Sequence, residues 1–294
     1  MALPNQSFFG AAVETIRGMR VHQWLKNLLI FVPAATSHRI LEWGVLRAVL
    51  LAFFSFSLCA SAGYLVNDLF DLQADRKHPE KCRRPFASGA LSPSYGIAVA
   101  AMLLVASIYL GFLVSPRYVA LLCGYLALSA LYSITLKTVP VLDVFLLAFF
   151  YTLRVFLGGA AAGVVVSFWL AAFSIFFFYS LAALKRFTEL QGATVPRRGY
   201  RPEDRSMLGL WGTAGGCASV VVLALYINSS EVTQLYRQPA ILWPVCLAFL
   251  FWLNRVWLLA NRGELPYDPI LFAVKDWPSY VVALFVVASV LFAI

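Results

Sequence analysis

Stretches of about twenty mostly apolar residues recur along this chain, at roughly 22–37, 44–67, 93–114, 117–136, 139–162, 166–188, 207–229, 239–261 and 274–294. A helix needs roughly 20 such residues to cross a bilayer. In hydrocarbon every backbone N–H and C=O must also find its partner within the protein, which a helix achieves unaided. The chain has 294 residues, of which 61% are hydrophobic and 13% charged. Soluble domains run at about 45–50% and about 25%. The expected fold is therefore an all-α polytopic membrane protein with nine transmembrane helices, forming one membrane domain over residues 1–294. Residues 1–20, with Glu14, Arg17 and Arg20, read as an amphipathic lead-in along the membrane surface and not as a cleavable signal peptide. The first apolar stretch opens on His22, Gln23, Lys26 and Asn27, so part of it is expected at the interface.

The basic residues orient these spans. With the N-terminus inside, eighteen Lys and Arg fall on one side, among them Arg17, Arg20, Lys26, Arg76, Lys77, Lys81, Arg83, Arg84, Lys137, Lys185, Arg186, Arg197, Arg198, Arg201, Arg205, Arg255, Arg262 and Lys275. Only Arg39, Arg47, Arg117 and Arg237 fall on the other. The bias predicts a cytoplasmic N-terminus, an external C-terminus and a site that opens to the cytoplasm. The net charge of +9 belongs to that membrane face and not to a nucleic-acid surface. The five cysteines, Cys59, Cys82, Cys123, Cys217 and Cys246, form no CxxC pair, which argues against a zinc site or a disulfide framework. His22, His38 and His78 are the only histidines, and their spacing suggests no catalytic triad.

One stretch carries chemistry. Asn67 to Gly89 reads NDLFDLQADRKHPEKCRRPFASG. Asp68, Asp71 and Asp75 are spaced three and four apart, so a helix sets them on one face. Carboxylates at the end of a membrane span are costly unless they are paired or metal-bound. Magnesium favours a few carboxylates together with water and substrate phosphates. Three acids with Asn67 suit one or two such ions. Of the basic residues that follow, Arg76, Lys77 and Lys81 are also explained by topology alone. Arg83-Arg84-Pro85, closed by Ser88 and Gly89, is more specific, because the arginine fork matches phosphate oxygens.

This stretch resembles the first aspartate-rich motif of the UbiA superfamily of intramembrane prenyltransferases. The resemblance implies nine transmembrane helices, a central cavity open to the cytoplasm, and a diphosphate held through Mg2+ by Asp68, Asp71 and Asp75. The chain departs from the superfamily's usual second acidic pair, reading Lys185-Arg186-Phe187-Thr188-Glu189-Leu190 with a single acid at that place. That KRxxEL, with Gln23-Trp24-Leu25-Lys26-Asn27, resembles the polyprenyl-phosphate phosphoribosyltransferase branch, typified by the decaprenyl-phosphate enzymes. The branch implies transfer of 5-phosphoribose from phosphoribosyl diphosphate to a polyprenyl phosphate at a bacterial plasma membrane. The broader superfamily implies transfer of an isoprenoid from a prenyl diphosphate to an aromatic or other acceptor.

Under this reading Glu189 joins the metal set, and Lys26, Asn27, Lys185 and Arg186 face substrate. The alternative for Lys185 and Glu189 is an interfacial ion pair. Arg154 lies too deep for a topology signal and is either a phosphate ligand or half of a structural ion pair; Asp143, eleven residues before it, points the same way. Tyr151 would line the same cavity. Tyr64 and Lys137 are further candidates, equally explained as an interfacial aromatic and a snorkelling lysine. The loops around 197–205 and 261–269 have Pro and Gly punctuation and suit a rim over the donor or ordinary surface salt bridges. A homo-oligomer is compatible with the sequence.

Overall fold

The computed structural model describes residues 8–191, 199–265 and 268–294, and among these every regular element is helical. The principal helices are α1 (Phe8–Met19), α2 (Trp43–Phe70), α3 (Pro93–Val114), α4 (Pro116–Ile134), α5 (Leu142–Ala162), α6 (Phe168–Glu189), α7 (Asp204–Ile227), α8 (Trp243–Asn261) and α9 (Trp277–Ala293). Among the described residues, seven helical segments are long and apolar enough to cross a membrane: α2 to α7, and Pro239–Asn261, which contains α8. They coincide with seven of the nine expected spans. The two others differ. Helix α9 has 17 residues, at the short end of what spans a bilayer. The stretch expected at 22–37 is a 3-10 helix over Val21–Phe31 followed by a five-residue helix, Val32–Thr36.

Local chemistry sets the helix starts. Ser92 and Ser167 accept from the N–H groups of Tyr95 and Leu170 at 3.3 and 3.2 Å, and Ser115 accepts from Tyr118 N–H at 3.1 Å. Pro93 and Pro116 occupy first positions, where no N–H is needed. Asp276 caps α9 through Ser279 N–H at 3.1 Å. Each such cap is worth about 1 kcal/mol.

The chain divides into two compact units: Met1–Ile134 with Arg154–Val165, and Thr135–Leu153 with Val166–Ile294. The boundary passes through α5, so neither unit is one continuous piece of sequence.

In the first unit α2 packs on α3. Ser55 and Ser107 donate to one another's carbonyl oxygens, both at 2.7 Å. In an apolar surrounding such reciprocal bonds hold neighbouring helices together. The 3-10 segment runs antiparallel to α2. Ser61 donates to Met19 C=O at 2.9 Å, Trp24 Nε1 donates to Ser61 at 3.0 Å, and Asn27 Nδ2 donates to Ser57 at 2.9 Å. The end of α5 lies hard against this segment: a Cβ on Gly158 would sit 2.1 Å from Ile30 C=O, so only glycine allows the approach.

In the second unit α6 packs on α7, α7 on α8 and α8 on α9. Indole donors stitch them: Trp257 Nε1 to Ser180 at 3.1 Å and Trp252 Nε1 to Ser279 at 2.8 Å. In both units large apolar side chains remain exposed, such as Phe112, Met102, Leu247 and Phe292. A surface of this kind suits a lipid surrounding.

Candidate active site

Asp68 lies in the last turn of α2. That helix stops at Phe70, Asp71 takes a non-helical conformation, and a short helix, Leu72–Arg76, follows. Asp68 and Asp75 are both buried, at 3% and 1% exposure. One nitrogen joins them: Arg84 Nη1 donates to Asp68 Oδ1 at 2.9 Å and to Asp75 Oδ2 at 2.7 Å. A second arginine, Arg20, donates from Nη2 to Asp68 Oδ1 at 2.6 Å and lies over the Tyr64 ring, 4.9 Å from its centroid. Asp71 and Asn67 are half-buried beside them, tied by the Asp71 N–H to Asn67 C=O bond of 2.9 Å.

In the sequence Arg20 reads only as a surface and topology charge; the fold gives it a buried carboxylate partner. Arg20 ends α1 in the left-handed conformation, with φ of 52°, where a non-glycine residue is uncommon. Its neighbours are docked as well. A Cβ on Gly18 would meet Leu65 Cδ2 at 2.9 Å, so the last turn of α1 rests directly on α2.

A cavity of about 330 Å³ opens at this point. It is lined by Arg17, Arg20, His22, Gln23, Asp68, Glu80, Lys81, Arg83, Arg84 and Pro85. Five cations face two carboxylates, and proline is the one apolar lining residue. A wall of this composition selects a compact, multiply anionic molecule.

No group of three His, Cys, Asp or Glu is close enough to hold a metal among the described residues. Mg2+ needs fewer protein ligands than that, because waters and substrate phosphates complete its shell. Two buried carboxylates that already share a cation, in the form of Arg84 Nη1, fit such an ion. Asp68 and Asp75 would carry it, with Asp71 and Asn67 alongside.

The other expected site residues fall into two groups. In the first unit, Lys26 and Asn27 are buried on the 3-10 segment. Arg154 Nε donates to Asn27 Oδ1 at 3.0 Å, and its guanidinium lies over Phe56 at 4.8 Å and Tyr125 at 5.9 Å. Asn27 thus links Arg154 to Ser57 of α2. Lys81 is half-buried in the turn Lys81–Arg83, while Arg76 and Arg83 are exposed.

In the second unit, Asp143 is fully buried and accepts from Arg186 Nε at 2.5 Å and from Tyr200 Oη at 2.6 Å. Arg186 also pairs through Nη1 with Glu189. Glu189 and Arg186, expected at the metal and the substrate, are thus paired with each other and with Asp143. Tyr200 in turn accepts from Val141 N–H at 2.7 Å, holding a β-branched residue at a φ of 69°. Burial, and then the bond to the Asp143 carboxylate, push the Tyr200 phenol above its ordinary pKa of 10. Lys185 and Lys137 are half-buried in this unit, and Tyr151 stacks on Phe178 at 5.2 Å. Of the loops expected to form a rim, Arg197, Arg198, Pro266 and Tyr267 lie outside the described residues. Between Gly199 and Arg205, Tyr200 is buried and Arg205 lies over Phe187 at 4.3 Å, while Arg201, Pro202 and Glu203 are exposed; Gln191 donates to Ala260 C=O at 2.7 Å.

Helices built for lipid and a cationic, carboxylate-floored cavity fit a membrane transferase. The chain belongs to the UbiA prenyltransferase family, which it matches over residues 28–266. It is 36% identical over 282 residues to protein y4nM of Sinorhizobium fredii, covering 94% of this chain and 55% of that one, so the chain spans about half that relative's length. It is 36% identical to nodulation protein NoeC of Azorhizobium caulinodans, over 89% of this chain and 87% of NoeC. It is 32% identical to decaprenyl-phosphate phosphoribosyltransferase of Mycolicibacterium smegmatis, over 74% of this chain and 70% of that enzyme. Its fold is that of a UbiA homologue from Archaeoglobus fulgidus solved with GPP and Mg2+, with a TM-score of 0.73 at 15% identity over 94% of this chain and 99% of that one.

Proposed function

We propose that this protein transfers 5-phosphoribose from phosphoribosyl diphosphate to a polyprenyl phosphate, with Mg2+, releasing diphosphate. The observation that carries this reading is the lining of the Asp68 cavity. Five cations and a single proline suit a small phosphorylated sugar, and about 330 Å³ falls at the low end of small-molecule sites, which run to roughly 1,000 Å³. The name borne by the M. smegmatis relative, a decaprenyl-phosphate phosphoribosyltransferase, supports phosphoribosyl transfer to a polyprenyl phosphate.

The chemistry follows from the charges. Mg2+ bound at Asp68 and Asp75 supplies Lewis-acid neutralisation of the departing diphosphate. Arg84 and Arg20 add fixed positive charge at the same place, where charge develops on the leaving group. Loss of diphosphate leaves oxocarbenium character at the anomeric carbon, and the lipid phosphate oxygen attacks there. That acceptor is already an anion, so no residue need remove a proton. Lys26, Asn27 and Arg154, all in the first unit, are assigned to the acceptor phosphate, and Tyr64 to the wall beneath Arg20. Arg186, which pairs with both Asp143 and Glu189, is assigned with Glu189 a positioning role for α6.

The site is proposed to face the cytoplasm of a bacterial plasma membrane. The 3-10 segment supports a nine-span topology. Eleven residues at about 2.0 Å each and five at about 1.5 Å each cover about 30 Å, the thickness of the hydrocarbon layer. Its antiparallel course along α2 brings Arg20 to the Asp68 end, as that topology requires.

A second reading, isoprenoid transfer from a prenyl diphosphate, is favoured by the fold shared with the A. fulgidus homologue solved with GPP. It needs an apolar trough beside the diphosphate, which the Asp68 cavity does not offer. Transfer activity of Asp68→Ala and Asp71→Ala in folded protein tests the site: both are expected to be inactive, and full activity would overturn it.

A further inference from the structure

The Asp68 cavity holds more positive charge than a metal-bound diphosphate uses. Arg20 and Arg84 are committed to Asp68 and Asp75. Arg17 and Arg83 line the same cavity without joining that network. The nearest carboxylate to Arg17 is Glu14 at 3.6 Å, and the Arg17 side chain is 58% exposed. Arg83 forms no ion pair among the described residues. Two long cations beside one cavity repel each other unless an anion sits between them.

Their placement is built in on both sides. Arg17 is in the last turn of α1, which Gly18 seats on Leu65, the Met19 carbonyl ties to Ser61, and Arg20 pins to Asp68. Arg83 sits in the turn Lys81–Arg83, immediately before the Arg84 that bridges the two carboxylates. The backbone of each is thereby held beside the diphosphate end of the site.

We propose that Arg17 and Arg83, with Lys81 beside them, form a second anion subsite that takes a phosphate monoester distinct from the metal-bound diphosphate. Resting on the phosphoribosyl reading above, that group is the 5-phosphate of the donor. The subsite then selects the donor, because a prenyl diphosphate carries no second anion and gains nothing from these arginines.

The test is equilibrium binding in Mg2+ to the full-length protein in detergent, using phosphoribosyl diphosphate, inorganic diphosphate and a polyprenyl phosphate. The wild type is expected to bind phosphoribosyl diphosphate at least ten-fold more tightly than inorganic diphosphate. Arg17→Ala/Arg83→Ala is expected to bind the two about equally, losing far more affinity for phosphoribosyl diphosphate than for inorganic diphosphate, with its affinity for the lipid unchanged. Arg17→Lys/Arg83→Lys is expected to recover most of the preference. Two outcomes overturn the proposal. If the wild type shows no preference, the arginines are topology charges only. If the variant loses affinity for polyprenyl phosphate instead, the second anion is the acceptor's. Turnover of phosphoribosyl diphosphate by the wild type is measured separately: its absence refutes the donor reading and leaves the binding comparison to decide the subsite.

Discussion

Asp68 and Asp75 share one nitrogen of Arg84, across the point where α2 ends at Asp71. Two buried carboxylates seven residues apart are thus held together by a cation of the protein's own. Removing either carboxyl charge leaves Arg84 half-compensated and takes away a donor for Mg2+. Asp68→Asn and Asp75→Asn are each expected to lower transfer by at least about 100-fold, the usual scale for lost electrostatic stabilisation of a transition state. They are also expected to weaken Mg2+ binding measured in the absence of substrate. Wild-type activity should vanish with EDTA and return with Mg2+.

The ion trio of the second unit gives a contrast. Arg186 is 2% exposed and Asp143 fully buried, whereas Glu189 is 33% exposed. Arg186→Ala strands a buried carboxylate, a loss of about 3–5 kcal/mol, measurable as a large drop in melting temperature. Glu189→Gln removes only a partly solvated partner, worth about 0–1 kcal/mol, and should leave Mg2+ affinity intact. A fall in Mg2+ affinity in Glu189→Gln would return that residue to the metal set.

Tyr200 makes stability pH-dependent on the alkaline side. Burial, and secondly its bond to Asp143, raise the phenol above 10. A group with a raised folded-state pKa contributes fully below its unfolded value and loses that contribution as pH rises past it. Tyr200→Phe should melt lower than the wild type at pH 7, and the gap should close above about pH 10. A gap constant up to pH 11 would contradict this.

Gly158 tests the packing of the 3-10 segment. A Cβ there meets a backbone oxygen at 2.1 Å, and a backbone cannot rotate away as a side chain can. Gly158→Val is expected to cost more than about 3 kcal/mol, beyond ordinary overpacking. Gly63→Ala, where nothing lies within 4 Å, should melt no lower than the wild type.

Much of this was legible in the sequence, for reasons that differ by residue. Apolar length alone marks Trp43–Phe70 and the six other long segments, because lipid imposes one solution on such runs. The spacing of Asp68 and Asp75 is local, so their nearness could be read directly, whereas the helix break at Asp71 and the Arg84 nitrogen they share could not. The 3-10 geometry of Val21–Phe31 could not, because it depends on serines of α2 some 30 to 42 residues away. Arg20 looked like one more positive charge until its partner, 48 residues on, was placed. Tyr200 gave no signal beyond its Gly199 neighbour, since Asp143 lies 57 residues earlier. Pairing at that range is a property of the fold.

The central claim is the donor. The most direct measurement offers purified protein phosphoribosyl diphosphate and a prenyl diphosphate, each with a different label, in one tube with Mg2+, a polyprenyl phosphate and 4-hydroxybenzoate. The account predicts ribose label in the lipid product, an equal release of diphosphate, and no prenylated aromatic. Prenyl label in the aromatic, with none of the ribose label in lipid, would contradict it.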